Sequence, residues 1–336
     1  MSEMNYQEVT KLLEEPKNVV ITSHRNPDGD AIGSSVSLVL ILKKLKHKVT
    51  IVFPSEYPVD FEFLTPVKRA IIFDQTPEKA LQAIEKAELF FALDYNALDR
   101  VDKMAETIRQ NPCPKILIDH HLNPGDFAQF VLSDTSASST CELMWIFFQQ
   151  LGYDDLIDKK VAESLYTGIN TDTGSFKYST SPRLFQVCSK LLEKGADDVK
   201  IQGLIYDKME EKKLRILGHC LANRMEIIPE FSTAIIHLTK RDYEKFDIQR
   251  GDTEGVVNYL LRIKGIKLAA FIARQPNITK LSLRSKGNFS VQKMAERYFN
   301  GGGHKNAAGG FSYKGLTLTL ERFKSILPNY EHQLKP

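Results

Sequence analysis

The chain is poor in the features that mark several protein classes. Its four cysteines, Cys113, Cys141, Cys188 and Cys220, include no C-x-x-C pair. This excludes a zinc knuckle or disulfide framework and leaves reduced packing residues. No apolar run reaches the roughly 18 to 20 residues of a membrane helix. Met1–Thr10 lacks the basic-then-apolar pattern of a secretion signal, so a cytoplasmic protein is expected. There is neither an internal repeat nor a low-complexity segment, and 42% of the 336 residues are hydrophobic. That excludes a disordered or collagen-like chain and suffices for two domains, each with a core.

Net charge is also low, +3, but unevenly spread. Residues 1–200 carry 22 basic and 29 acidic side chains, whereas residues 201–336 carry 23 and 13. Between Leu261 and Leu320 there are 11 Lys or Arg against one acid, Glu296. Such a surplus favours an anionic ligand on the second half.

The first half alternates strand-like runs (Asn18–Thr22, Val49–Phe53, Leu89–Leu93, Lys115–Ile118) with helical spacing over Ala31–Lys46, Pro77–Ala87 and Asp99–Gln110. This predicts an α/β domain over residues 1–195, built on a mainly parallel sheet with helices on both faces. Ser139-x-x-Glu142 reads as a capping box, and Pro182–Lys194 as a helix ended by Gly195. An amphipathic stretch from Val199 to about Arg224 predicts one helical linker (residues 196–224). Strands at Thr233–Leu238, Lys267–Arg274 and Lys280–Leu283, with helices near Val291–Phe299 and Leu320–Ile326, predict a smaller mixed α+β domain over 225–336.

Ligands of parallel sheets sit beyond the carboxyl ends of the strands. After Asn18–Thr22 come His24, Asp28 and Asp30, in a segment that Pro27 and Gly29 turn. After Leu89–Leu93 comes Asp94, and after Lys115–Ile118 come Asp119, His120 and His121. Asp172 follows the helical stretch Lys159–Tyr166. Each alone is an ordinary cap or turn former. Together, their charges repel unless a cation lies among them. The nitrogen and oxygen donors, without thiolate, suit Mn²⁺ or Mg²⁺, with Co²⁺ or Fe²⁺ as alternatives, and their number suits two ions. In the second half, the glycines 301–303 can bring backbone N–H groups close to a phosphate, with Arg284 and His304 as charge-assisted donors.

His-x-x-x-Asp-Gly-Asp at 24–30, the strand-end Asp94, Asp-His-His at 119–121 and Asp172 resemble the four motifs of the DHH phosphoesterases. Ser282-Leu283-Arg284-Ser285 and Gly301-Gly302-Gly303-His304, followed by Ala307-Ala308-Gly309-Gly310, resemble the DHH-associated nucleotide-binding domain. Within the family the chain is similar to bacterial oligoribonucleases that also dephosphorylate 3′-phosphoadenosine 5′-phosphate. The resemblance implies that His24, Asp28 and Asp94 hold one manganese and that Asp30, Asp94, His120 and Asp172 hold the second. It implies that His121 faces the scissile phosphate, with Asp119 orienting an imidazole. Arg284, Ser285, Gly301, Gly302, Gly303 and His304 then bind substrate. Hydrolysis is expected in a cleft between the domains, on short single-stranded RNA and 3′-phosphoadenosine 5′-phosphate, with long duplexes and membranes excluded and a homodimer compatible. A cyclic or linear di-adenylate phosphodiesterase and a non-catalytic nucleotide- or RNA-binding module are the alternatives.

Overall fold

The computed structural model describes residues 4–207, 209–249 and 251–335. The chain divides into two units, Met1–Lys208 and Met209–Pro336. Residues 1–3 and 336, at the outer ends of the two expected domains, and Lys208 of the expected linker lie outside the described residues.

In the first unit, strands β1 (Asn18–Thr22), β2 (Lys48–Phe53), β3 (Ile71–Ile72), β4 (Leu89–Leu93), β5 (Lys115–Asp119) and β6 (Phe130–Ser133) form one sheet ordered β3-β2-β1-β4-β5-β6. Every pairing is parallel. Helices α1 (Tyr6–Leu13), α2 (Gly29–Lys44), α3 (Pro77–Glu85), α4 (Ala105–Gln110), α5 (Thr140–Gln150), α6 (Lys159–Asp172), α7 (Pro182–Glu193) and α8 (Asp198–Tyr206) complete it. Successive strand residues point to opposite faces. Val19, Ile21, Phe91 and Ile116 pack with Ile32 and Val36 of α2 and Phe147 of α5. Val20, Phe90 and Leu117 pack with Ala80 and Ile84 of α3 and Ile108 of α4. Both faces are therefore covered, which is why β4 and β5 are buried along their whole length.

The chain leaves β1 for β2 on one side and later lays β4 on the other, so the carboxyl ends of β1 and β4 flank the point where strand order reverses. Thr22 is level with Ala92 and Leu93 with Ile118, which brings three strand ends together. Helices α2 and α6 cross closely because glycine lies at the contact. A Cβ on Gly168 would stand 2.2 Å from the Cys141 sulfur and 2.8 Å from Asp30 Oδ1.

Four local expectations are corrected. The segment read as a turn at 27–30 is a helix start: Asp28 is the N-cap of α2, and its Oδ1 accepts from the N–H groups of Asp30 and Ala31. Helix α6 runs on through Gly168 to Asp172 rather than ending at Tyr166. Gly168 is tolerated there because close packing requires it. Over 99–110 only α4 is α-helical: residues 98–104 are 3₁₀, interrupted by Asp102 at φ 52°, whose carboxylate pairs with Arg25 at 3.0 Å. The single linker helix is two helices, α8 and α9 (Glu211–Asn223). Asp207 ends the first, and Glu210 is extended before the second.

The second unit adds β7 (Met225–Ile228), β8 (Thr233–Leu238), β9 (Leu268–Arg274), β10 (Thr279–Ser285), β11 (Gly302–His304) and β12 (Ala307–Ser312), ordered β11-β12-β10-β9-β8-β7. Its β8–β9 pair is parallel and the other pairs are antiparallel. Leu281, Leu283 and Ala270 pack with Met294 and Phe323, whereas Ala234, Ile236 and Phe271 pack with Val257 and Leu260. This is the mixed α+β domain expected.

The crossing of α2 and α6 makes a stability prediction. Gly168→Ala should cost about 1–3 kcal/mol through overpacking. Gly218→Ala, where a Cβ meets nothing within 4 Å on an exposed helix position, should gain up to about 1 kcal/mol. Urea denaturation of the two variants checks both signs.

Candidate metal centre

The strand ends and the starts or ends of three helices converge on one acidic pocket. His24 leaves β1, and its Nδ1 donates to the Arg25 carbonyl at 2.9 Å. This leaves Nε2 as the free donor atom, 3.3 Å from Asp94 Oδ2 and 3.9 Å from Asp28 Oδ2. Asp94 leaves β4 with φ 63°, the left-handed region that a non-glycine residue adopts at a cost. His120 leaves β5, with Nε2 3.6 Å from Asp94 Oδ1, 3.5 Å from Asp172 Oδ2 and 3.9 Å from Asp30 Oδ2. Two ligand sets result, His24–Asp28–Asp94 and Asp30–His120–Asp172. Asp94 turns one oxygen toward each.

A third grouping joins Asp94, His120 and His121. Within it, His121 Nδ1 is 2.7 Å from Asp119 Oδ1, and its backbone N–H donates to Asp119 Oδ2. A carboxylate accepts only, so Nδ1 donates and Nε2 is the free ring atom. Asp119 is fully buried, and its two oxygens hold this one histidine.

Electrostatics leave the pocket undercharged with cations. Among the described residues, the ion pairs of Asp28, Asp30, Asp94 and Asp172 involve histidine and no Lys or Arg. Burial first, then the neighbouring carboxylates, push the Asp30 and Asp94 carboxyls well above the usual range. Burial and Asp28 push Asp172 up to about 6. Burial and the adjacent His121 lower His120, keeping it neutral as a ligand must be. Hard oxygen donors and neutral imidazoles around an excess of negative charge fit divalent cations.

Partial compensation comes from α5. Its backbone N–H groups at Thr140 and Cys141 donate to Asp30 Oδ2 and Oδ1 at 2.6 and 2.8 Å, and the Thr140 hydroxyl donates to Asp94 Oδ1 at 3.0 Å. The start of α5 is held in turn. Ser139 caps the Glu142 N–H, but Glu142 returns its carboxylate to Ser138 N–H and to Arg183 Nε rather than to Ser139, so half of the expected capping box forms.

In the second unit the glycine run is a strand at the sheet edge rather than a free loop. A Cβ on Gly301 would lie 2.0 Å from the Gly309 carbonyl. Arg284 and His304 both stand opposite Ala307, in one row across β10, β12 and β11. Their side chains therefore share a face, with Cα atoms roughly 10 Å apart. His304 and Gly303 are exposed. Ser285 is buried, and its hydroxyl donates to the Phe289 carbonyl and accepts from Asn306.

Residues 18–169 match the DHH family, N-terminal domain, and residues 232–334 match the DHHA1 domain. An exopolyphosphatase-related protein from Bacteroides fragilis superposes with a TM-score of 0.90 at 38% identity, over 98% of this chain and 97% of that one. The chain belongs to the DHH family. It is also 28% identical to the bifunctional oligoribonuclease and PAP phosphatase NrnA of Thermus thermophilus, over 97% of its own length and 93% of the relative. It is 27% identical to the cyclic-di-AMP phosphodiesterase GdpP of Bacillus subtilis, but spans 49% of that protein. A DHH-family phosphoesterase is thus at hand, and the acidic pocket is its candidate centre.

The motif reading did not include Thr140. Its signal was a hydroxyl one position past a helix cap, which many helices carry.

A pH prediction follows from Asp172. A carboxyl that binds its proton more tightly folded than unfolded favours the folded state while protonated. That contribution is lost as pH rises from the unfolded value near 4 through about 6. Without cation, the melting temperature should therefore fall as pH rises from about 4 to 6, and Mn²⁺ should restore it at pH 7. Calorimetric scans with chelator and with Mn²⁺ check this; identical profiles would contradict it.

Proposed function

We propose that the chain is a two-cation phosphoesterase that cleaves short oligoribonucleotides to mononucleotides and removes the 3′-phosphate of 3′-phosphoadenosine 5′-phosphate. The observation that carries this is Asp94, whose two oxygens face two separate sets of N and O donors, His24 on one side and His120 on the other. His24, Asp28 and Asp94 would hold one ion, and Asp30, Asp94, His120 and Asp172 the second, with manganese the first choice and Mg²⁺ or Co²⁺ as substitutes. When bound, such a pair activates water and neutralises charge on a phosphate.

The chain's own residues do the rest. His121, with Nδ1 donating to Asp119, presents Nε2 to the leaving oxygen; it takes up a proton at Nε2 to become the imidazolium, which Asp119 stabilises, and gives that proton to the leaving oxygen. Arg284, His304 and the segment Gly302–Gly303 grip a second phosphate of the substrate. Gly301, whose N–H already donates to the Ala295 carbonyl at 3.2 Å, lets that segment lie close to Gly309, and Ser285, whose hydroxyl is already used within the turn, supports the grip. Both substrates carry a nucleoside 5′-phosphate together with a phosphate on the 3′ oxygen, so one anchor serves both. The similarity to the Thermus relative over nearly its whole length supports this choice. The similarity to a cyclic-di-AMP phosphodiesterase makes the cyclic dinucleotide the second reading.

The deciding assay is a comparison of a 5′-phosphorylated diribonucleotide, 3′-phosphoadenosine 5′-phosphate and cyclic di-adenylate in Mn²⁺, with products resolved by chromatography. Turnover of the first two supports the proposal. Turnover of the cyclic compound alone supports the rival, and binding without turnover supports a non-catalytic module. Asp94→Ala should reduce turnover by about 1000-fold or more, since both ions lose a ligand. Arg284→Ala should raise KM for the diribonucleotide by about 10–100-fold, while hydrolysis of bis(p-nitrophenyl) phosphate, which has no second phosphate to anchor, stays unchanged.

A further inference from the structure

Asp94 has to serve two ligand sets at once, and a carboxylate's terminal torsion is soft and roughly two-fold. Something must fix its plane. Its backbone carries part of the constraint through the left-handed φ of 63°. Its side chain meets Thr140. That residue is fully buried at the first position of α5, and its hydroxyl donates to Asp94 Oδ1 at 3.0 Å, the oxygen that also faces His120. The backbone N–H of the same residue donates to Asp30 Oδ2 at 2.6 Å. One residue thus ties together two neighbouring carboxylates.

We infer that Thr140 is a positioning residue: it holds the shared carboxylate with Oδ2 toward His24 and Asp28 and Oδ1 toward His120, Asp30 and Asp172, and the second cation site depends on it. The hydroxyl uses one lone pair of Oδ1 and leaves the other for a cation. Without that hydrogen bond Oδ2 remains drawn to the His24 set, while Oδ1 is free to swing out of the second set. Losing Thr140 should therefore split the two sites. The first should keep its affinity and the second should lose about 10- to 100-fold, the usual effect of removing a group that orients a ligand.

This inference rests on the two-cation reading proposed above. Its test is Mn²⁺ titration calorimetry on the full chain, first stripped with chelator. Thr140→Val keeps the shape and the N–H to Asp30 but removes the hydroxyl; Thr140→Ser keeps the hydroxyl. Wild type and Thr140→Ser should show the same two binding events, and Thr140→Val should retain one at its wild-type affinity with the other weakened tenfold or more. Two unshifted events in Thr140→Val would overturn the inference, as would equal weakening of both, which marks general loosening. A single event in the wild type would instead overturn the two-cation reading. Should Thr140→Val fail to fold, as judged by its cation-free melting temperature, Thr140→Ala is read by the same criteria.

Discussion

Carboxylates crowded into a pocket with too little water to screen them are the constraint around which the first unit is organised. Asp30 and Asp94 are almost completely buried and Asp172 is mostly so, with no Lys or Arg paired to any of them among the described residues. Two backbone N–H groups and one hydroxyl reach them from the start of α5. Dipoles of that size soften the repulsion but fall short of cancelling several full charges. The remaining imbalance is relieved by protons or by divalent cations. Proton uptake leaves the acids neutral and poorly ligating, so each state of the pocket excludes the other.

The fold meets this constraint with rigid parts. Parallel strands brought level at β1, β4 and β5 deliver His24, Asp94 and His120 without long loops. The sheet alone would not reach Asp30 and Asp172, which lie on helices. These are brought in by the close crossing of α2 and α6, where Gly168 lets the sulfur of Cys141 and the carboxylate of Asp30 approach the backbone. The arrangement couples packing to chemistry: a single added methyl at Gly168 presses on the Asp30 carboxylate itself.

Much of this was legible in the sequence because it was local. The runs Asn18–Thr22 and Leu89–Leu93 are strands with the same bounds in the structure, since continuous apolar runs closed by polar residues leave little choice. Helix boundaries were less legible. Pro27 and Gly29 look like a turn until the Asp28 side chain is seen to cap α2, and Gly168 looks like a break until its close contact is known. The stretch 199–224 is amphipathic throughout, yet Asp207 ends one helix and Glu210 takes an extended backbone before the next. Tyr206 and Met209 near that break remain exposed, without the burial that would hold a continuous helix. Thr140 was invisible for a deeper reason. Its role depends on two carboxylates 46 and 110 residues away in the chain, and nothing in local spacing records that.

The pocket's donors address phosphate and cations, not bases or sugars, so selection among phosphoesters has to come from elsewhere in the chain. Relatives bearing different substrate names share the matching region, which is what a generic phosphate centre would produce. The second unit carries the residues proposed to select. Its sheet sets Arg284 and His304 in one row on one face, and the glycines at 301 and 303 let the edge strand lie close against the backbone of Gly309 and Ala307. In the proposed reading, an arginine and an exposed imidazole a fixed distance apart would meet a ligand's second phosphate rather than its base. Discrimination by that row would therefore favour substrates by the number and spacing of their phosphates, with base identity secondary. That behaviour would suit the two proposed substrates, a dinucleotide and a nucleoside bisphosphate.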